Sequence, residues 1–175
     1  MTANEPVQQR WKCTVEYDGR AFFGWQRQED NDPTVQGVIE DAIYAFCQQR
    51  VTVHVAGRTD SGVHATGQVC HFDLTDRPVS AYDLAKALNA LVRPHPVAVI
   101  RTEAVDHDFH ARFAAKNKLY TYRILNRQAP PAIELGRFWH HRRPLNIDAM
   151  REGARHLIGF HDFTTFRDSE CQAKS

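Results

Sequence analysis

Near the N-terminus, a strict alternation of apolar and polar side chains is the clearest indication of how this chain folds. In residues 11–17, WKCTVEY, every second side chain is apolar, and Lys12, Thr14 and Glu16 fall between them. A period of two places the two sets on opposite faces of a β-strand. One face must therefore be covered by another layer of the chain.

Helical spacing supplies candidates for that layer. The apolar residues of 35–47 recur on one stripe, and Thr34 before them is a suitable N-cap. Ser80 and Asp83 form a capping box that predicts a second helix to about Leu91. A third helix is predicted from about Ile147 to a stop at Gly159, with an inward face of Met150, Ala154, Leu157 and Ile158.

Four further segments, 51–56, 68–74, 97–105 and 118–125, are predicted strands, and 126–136 is a predicted loop. Strands and helices do not alternate strictly, which favours an α+β fold with a mainly antiparallel sheet flanked by helices. Residues 1–9 carry no pattern and are expected to be a disordered lead-in. The rest of the chain is expected to form two α/β halves. The N-terminal half spans residues 10–106, and a partial C-terminal half spans residues 107–175.

Composition excludes little. The chain has 175 residues, 42% hydrophobic and 25% charged, which is typical of a globular protein, and its net charge of +1 points to no partner. Its four cysteines form no CxxC pair and are expected to be free thiols. No apolar run could span a membrane, and residues 1–10 lack a signal-peptide core, so a cytoplasmic location is expected.

The octapeptide GRTDSGVH at residues 57–64 is the main chemical signal, because it places Asp60 among Arg58, two glycines and His64. A hairpin turn is the simpler interpretation, since Asp and Gly are common turn residues. A catalytic loop is the alternative, in which a nearby cation keeps the carboxylate ionised and able to act as nucleophile or base. A phosphate-binding loop is disfavoured, because a carboxylate would face an anion.

A second signal lies in residues 109–127, which combine five cations and four aromatic rings with no acidic residue. Cations that hold phosphates and rings that stack on bases make a nucleic-acid surface. A strand with solvated cations and core aromatics would give the same pattern. The ten histidines reproduce no recognised metal-ligand spacing.

Several of these segments together resemble the tRNA pseudouridine synthase A family. GRTDSGVHA is similar to its signature, and EYDGRAFFGWQRQ, TVQGVIEDAI, GQVCHFD, DFHARFAAKNKLYTYRI and LIGFHDFTTFR are similar to family segments in the same order. The resemblance implies a pseudouridine synthase fold of two similar halves, the second incomplete here. It also implies isomerisation of uridine in the anticodon arm of tRNA, without cofactor or metal, by a homodimer.

The resemblance also implies residue roles. Asp60 matches the catalytic nucleophile, Arg58 the residue that holds the target base out of the stack, and Tyr120 the tyrosine that packs on it. Two segments match stretches that contact tRNA: Phe109, His110, Ala111, Arg112 and Phe113, and then Asp168, Ser169, Glu170, Cys171 and Gln172.

This chain departs from the family pattern at two points. Lys118 stands where arginine is usual, which keeps the charge but loses a bidentate donor. The chain also stops before the family's last strands and helix, so a C-terminally truncated member is expected. Two alternatives remain: an inactive tRNA-binding fragment, and a metal-dependent hydrolase using Asp60 with His64, His71 and other histidines.

Overall fold

The structure is a computed structural model that describes residues 7–28 and 32–166. The chain divides into two compact units, Met1–Leu119 and Tyr120–Ser175. This division falls later than the predicted boundary between the halves at residue 106. Residues 107–114 pack on the sheet of the first unit and so belong to it. The boundary between the two halves stays a prediction. Strands and helices are mixed as predicted, and the α+β class with a mainly antiparallel sheet is confirmed.

The first unit is a four-stranded antiparallel sheet with two helices. Its strands are β1 (Gln8–Tyr17), β2 (His54–Val55), β3 (Ala65–Thr75) and β4 (Val97–Val105), in the order β2-β3-β1-β4. The helices are α1 (Val35–Cys47) and α2 (Ala81–Leu91). Cys13 in β1 lies opposite Cys70 in β3 and Thr102 in β4, so β1 forms the middle of the sheet with β3.

The core lies between this sheet and the two helices. The alternation of β1 is confirmed, since its four apolar residues from Trp11 to Tyr17 are buried and the residues between them are not. They pack in one cluster with the apolar stripe of α1 and with Leu84 and Leu88 of α2. Both predicted N-caps are present: Thr34 accepts from the Gly37 amide and Ser80 from the Asp83 amide.

The opposite face of the sheet is polar and carries the segment 107–114. Arg10 forms a bidentate ion pair with Asp73, at 2.7 and 2.8 Å, and the same guanidinium donates to the carbonyls of His107 and Phe109. A cation held on a sheet face thus ties down the chain that leaves β4. Both faces of the sheet are therefore in use.

The second unit contains β5 (Ile124–Asn126), β6 (Trp139–His141) and α3 (Ile147–Arg155). The two short strands pair in parallel, Ile124 opposite Trp139. Parallel neighbours need a long connection, which residues 127–138 provide. A short 3-10 turn at Thr164–Phe166 follows.

Several sequence predictions are wrong in their extent. The strand predicted at 51–56 is confined to His54–Val55, because the Val53 amide instead binds the Glu40 side chain. The strand predicted at 118–125 begins only at Ile124. The expected lead-in is too long, because Gln8 and Gln9 already pair with β3, while residues 1–6 lie outside the described residues.

The inward face predicted for α3 is also wrong. The helix begins after its Asn146 cap but ends at Arg155 rather than near Gly159, so Leu157 and Ile158 lie beyond it. Met150, Leu157 and Ile158 are 44%, 54% and 75% exposed. Helical spacing can align apolar side chains on one stripe but cannot supply the layer that covers them. Among the described residues, no helix is long and apolar enough to cross a membrane.

Candidate active site

The octapeptide forms the connection between β2 and β3, with the exposed Asp60 at its tip. The Val63 amide donates to the Asp60 carbonyl at 3.2 Å, which closes a turn. Gly62 has φ +79°, a conformation that side-chain-bearing residues rarely adopt, although open space surrounds it. The octapeptide therefore contains the turn that its composition predicts.

A second loop, residues 18–25, holds the octapeptide through its backbone. The Trp25 amide donates to the Thr59 carbonyl at 2.9 Å, while the Ser61 hydroxyl and the Gly62 amide both donate to the Phe22 carbonyl. Gly24 has φ +95°, and a Cβ there would stand 2.9 Å from the Thr59 carbonyl oxygen. The two loops thus pack too closely for a side chain at Gly24.

Two side chains fix the octapeptide from the sheet. The Tyr17 hydroxyl lies 2.8 Å from the Thr59 hydroxyl, and the Gln68 amide donates to the Gly57 carbonyl at 2.7 Å. Tyr17 is only 3% exposed and packs on the Trp25 ring, with centroids 5.9 Å apart. The residues flanking Asp60 are therefore anchored to the hydrophobic core.

His64 closes the far end of the loop. Its Nδ1 accepts from the Gly19 amide at 3.2 Å and lies 3.2 Å from a carboxylate oxygen of Asp18. Hydrogen bonds from Arg20 to Asp18 are the main cause that holds the pKa of this carboxyl well below its usual range. Gly19 is required here, because a Cβ would stand 2.1 Å from the Val63 carbonyl oxygen.

These supporting residues were not identified as functional from the sequence. Tyr17 reads as the last core residue of an alternating strand, and Gln68 as an ordinary polar strand residue. The available signal was that residues 16–28 and 67–73 resemble family segments on either side of the octapeptide. Their hydrogen bonds to residues 57 and 59 appear only in the folded chain.

Asp60 and Arg58 are both exposed, and among the described residues neither forms an ion pair within 4 Å. The expectation that Arg58 lies beside the Asp60 carboxylate is therefore not met by a direct contact in the described part of the chain. A different cation approaches the loop: Lys118 Nζ lies 3.1 Å from where a Gly57 Cβ would stand. The octapeptide therefore presents an exposed carboxylate on a hydrogen-bonded backbone, and Lys118 lies near its first residue, Gly57.

The segment from Phe109 to Phe113 packs on the polar face of the sheet. Ala111 is 2% exposed, whereas Phe113 is 77% exposed with the Arg112 guanidinium 5.9 Å from its ring centroid. Lys12 approaches the Phe109 ring at 5.9 Å. The structure thus anchors the middle of this segment and presents an aromatic ring and a cation to solvent.

The remaining predicted site residues lie elsewhere. Tyr120 belongs to the second unit and is 62% exposed. Residues 168–172 lie outside the described residues. In the described residues, no three His, Cys, Asp or Glu side chains form a group that could hold a metal ion. His64 and His71, which the hydrolase alternative requires, each accept a backbone amide hydrogen bond.

Comparison with known proteins identifies the family. A family model described as tRNA pseudouridine synthase matches residues 14–114, which include both loops and the segment 109–113. The tRNA pseudouridine synthase A of Rhodospirillum centenum is 57% identical over 95% of this chain and 67% of its own length. Those of Rhodospirillum rubrum and Caulobacter vibrioides are 54% and 52% identical, again over 95% of this chain, but over 59% and 66% of their own lengths. The chain, spanning roughly two thirds of these curated relatives, belongs to the tRNA pseudouridine synthase family.

Proposed function

We propose that this chain carries the catalytic loop of a tRNA pseudouridine synthase that isomerises uridine in the anticodon arm, with Asp60 as the nucleophile. The observation that carries the proposal is the support of the octapeptide. Its backbone is bound by residues of the loop 18–25 and by Gln68, while Asp60 itself is exposed. A simple hairpin turn does not need a buried tyrosine and an opposing loop to hold it.

The reaction needs one positioned carboxylate and no net change in atoms. The N1–C1′ bond of uridine breaks, the uracil turns, and C5 joins C1′, so that C5 loses a proton to solvent and N1 gains one. A carboxylate can form a covalent intermediate with the base or the sugar, or remove a sugar proton. The proposal assigns attack to Asp60, because its side chain is exposed at the loop tip.

The base must first leave the helical stack, at a cost of a few kcal/mol. Arg58 is exposed two residues before Asp60 and is proposed to occupy the vacated space and grip phosphate. Tyr120 is proposed to pack on the extracted uracil. Lys118, which lies over Gly57, adds a cation that can neutralise phosphate charge near the loop.

The tRNA surface is proposed to include residues 109–113 and 168–172. Support comes from Arg112 and Phe113, an exposed cation and ring on a segment whose middle is buried. The full-length protein is proposed to be a homodimer, as the resemblance implies, and to be cytoplasmic. Light scattering of the 175-residue chain and of a complete relative would test the dimer.

Tritium release from tRNA that carries 5-³H-uridine tests the reaction, because joining through C5 must expel that hydrogen. Asp60→Ala should reduce the release rate on the order of 10⁴-fold or more while tRNA binding persists. Asp148→Ala is the matched control, since this exposed carboxylate pairs only with Arg151 on α3 in the described residues. Equal release by parent and Asp60→Ala would contradict the assignment.

An inactive tRNA-binding fragment is the second candidate. It is favoured by the exposed apolar residues of the second unit, which the described chain does not cover. It predicts that the 175-residue chain binds tRNA without tritium release, while a complete relative releases tritium. Release by the 175-residue chain would exclude it.

A further inference from the structure

The polar face of the sheet buries one histidine that the proposed reaction does not use. His71 of β3 is 2% exposed, although it lies on the face opposite the hydrophobic core. Three rings enclose it: His110 with centroids 4.7 Å apart, His54 at 5.0 Å and Phe109 at 5.9 Å. A buried titratable group with this many neighbours needs a specific partner.

That partner is the backbone of the segment 109–113. The Ala111 amide donates to Nδ1 of His71 at 3.2 Å, and Ala111 is itself 2% exposed. Nδ1 can accept only while it carries no proton. Protonation of His71 at Nδ1 therefore removes this bond and leaves two donors facing each other.

The surroundings keep His71 neutral. Burial is the main cause that lowers its pKa from 6.5 to about 4, and the neighbouring histidines and Arg10 add to it, while Asp73 opposes it. Charged or titratable groups approach His71 from each element around it. Arg10 and Lys12 lie on β1, His54 lies on β2, Asp73 lies on β3, and His110 lies on the segment that covers it.

A second anchor of the segment does not depend on this proton. Arg10, held by Asp73, donates to the carbonyls of His107 and Phe109 at 2.5 and 2.9 Å. Its guanidinium stays charged at all relevant pH values. Only the middle of the segment, from His110 to Phe113, therefore depends on the state of His71.

We propose that His71 is a positioning residue, whose neutral imidazole holds residues 110–113 on the sheet and releases them when it is protonated. This inference rests on the proposed function for its consequence, since it is this segment that would present Arg112 and Phe113 to tRNA. The binding partner of this segment is thus RNA, and the affinity of RNA for the segment should decrease as the pH falls.

The sign follows from proton linkage. The released segment leaves His71 in water with a pKa near 6.5, whereas the bound segment keeps it at about 4. The released form therefore binds more protons between these values and gains population as pH falls. Between about pH 6.5 and about pH 4, the equilibrium constant for opening should rise about tenfold for each unit by which the pH falls. Above about pH 6.5 it should stay constant.

Hydrogen exchange of the Ala111 amide in the full chain, without RNA, measures this opening directly. Its protection factor should fall with that slope in the parent. His71→Asn places an amide oxygen near the position of Nδ1 and cannot be protonated, so its profile should be flat. His156→Asn, an exposed histidine of the second unit, should keep the parent slope. A flat parent profile, or the parent slope in His71→Asn, would overturn the proposal.

Binding of unmodified tRNA at pH 7.5 tests the consequence. His71→Leu removes the acceptor and should raise Kd about tenfold, while His71→Asn should stay within about twofold of the parent. Equal binding by His71→Leu and the parent would overturn the role in RNA contact. If the parent binds no tRNA at all, the proposed function fails, and the exchange profile still decides whether His71 holds the segment.

Discussion

Three glycines near Asp60 are each required for a different physical reason. At Gly19 a Cβ would overlap the Val63 carbonyl, and at Gly62 only the positive φ disfavours a side chain. At Gly24 both apply, because φ is positive and a Cβ would stand close to the Thr59 carbonyl. Spatial crowding against backbone cannot be relieved by a rotamer change, whereas a strained φ has a bounded cost. The loop that presents Asp60 should therefore tolerate substitution unequally.

Gly62→Ala should lower the free energy of unfolding by about 1–2 kcal/mol, because alanine must adopt a left-handed conformation in open space. Gly19→Ala should cost more and also reduce tritium release, because its Cβ would stand 2.1 Å from a backbone oxygen and must displace the octapeptide. Urea unfolding followed by tryptophan fluorescence measures the first effect. A Gly19→Ala chain as stable and active as Gly62→Ala would show that the loops move apart freely.

At the scale of elements, α1 is fixed at its start by Thr34. This residue is 2% exposed, and its Oγ1 accepts from the Gly37 amide at 3.2 Å. The next two residues, which open α1, contact the loop 18–25 that holds the octapeptide. The Val35 amide donates to the Gly24 carbonyl and the Gln36 amide to Trp25. The first turn of the helix is thus part of the support for the octapeptide.

Thr34→Ala should destabilise the chain by about 1 kcal/mol more than Thr34→Ser, because serine keeps the capping oxygen and alanine does not. Both variants lose the same methyl group, so the difference isolates the cap. Equilibrium unfolding in urea gives the two free energies. Equal losses for both would mean that the cap contributes nothing and that only the buried methyl matters.

At the scale of the whole molecule, the buried apolar core belongs to the first unit. Leu88 is fully buried between α2 and the sheet, while Leu157 in the second unit is 54% exposed. Each unit must gain its stability from the apolar surface it removes from water. The described second unit removes little.

Leu88→Ala should therefore cost about 2–5 kcal/mol of unfolding free energy, as expected for a cavity in a packed core. Leu157→Ala, the same chemical change at an exposed site, should alter it by less than about 0.5 kcal/mol. Thermal and urea unfolding of both variants would measure the contrast. A comparable loss for Leu157→Ala would show that this residue is covered in solution.

Local patterns were sufficient for much of this fold. The burial of Trp11 and Tyr17, the caps Thr34 and Ser80 and the position of Asp60 at a turn all depend on periods of a few residues or on neighbours in the chain. The strand expected at 118–125 failed for the complementary reason. Alternation favours a strand, but a strand also needs a pairing partner, and pairing begins only at Ile124.

Most of the elements, the core face of the sheet and the family follow from short segments of the sequence, the octapeptide among them. The support of Asp60 depends instead on tertiary contacts, because Tyr17 and Phe22 bind its loop from 42 and 39 positions away in the chain. The burial of His71 on a polar face is also a tertiary effect, since Ala111, which covers it, is 40 positions away in the chain. Such contacts leave no periodic signal, because they depend on where separate elements meet rather than on the spacing within any one of them.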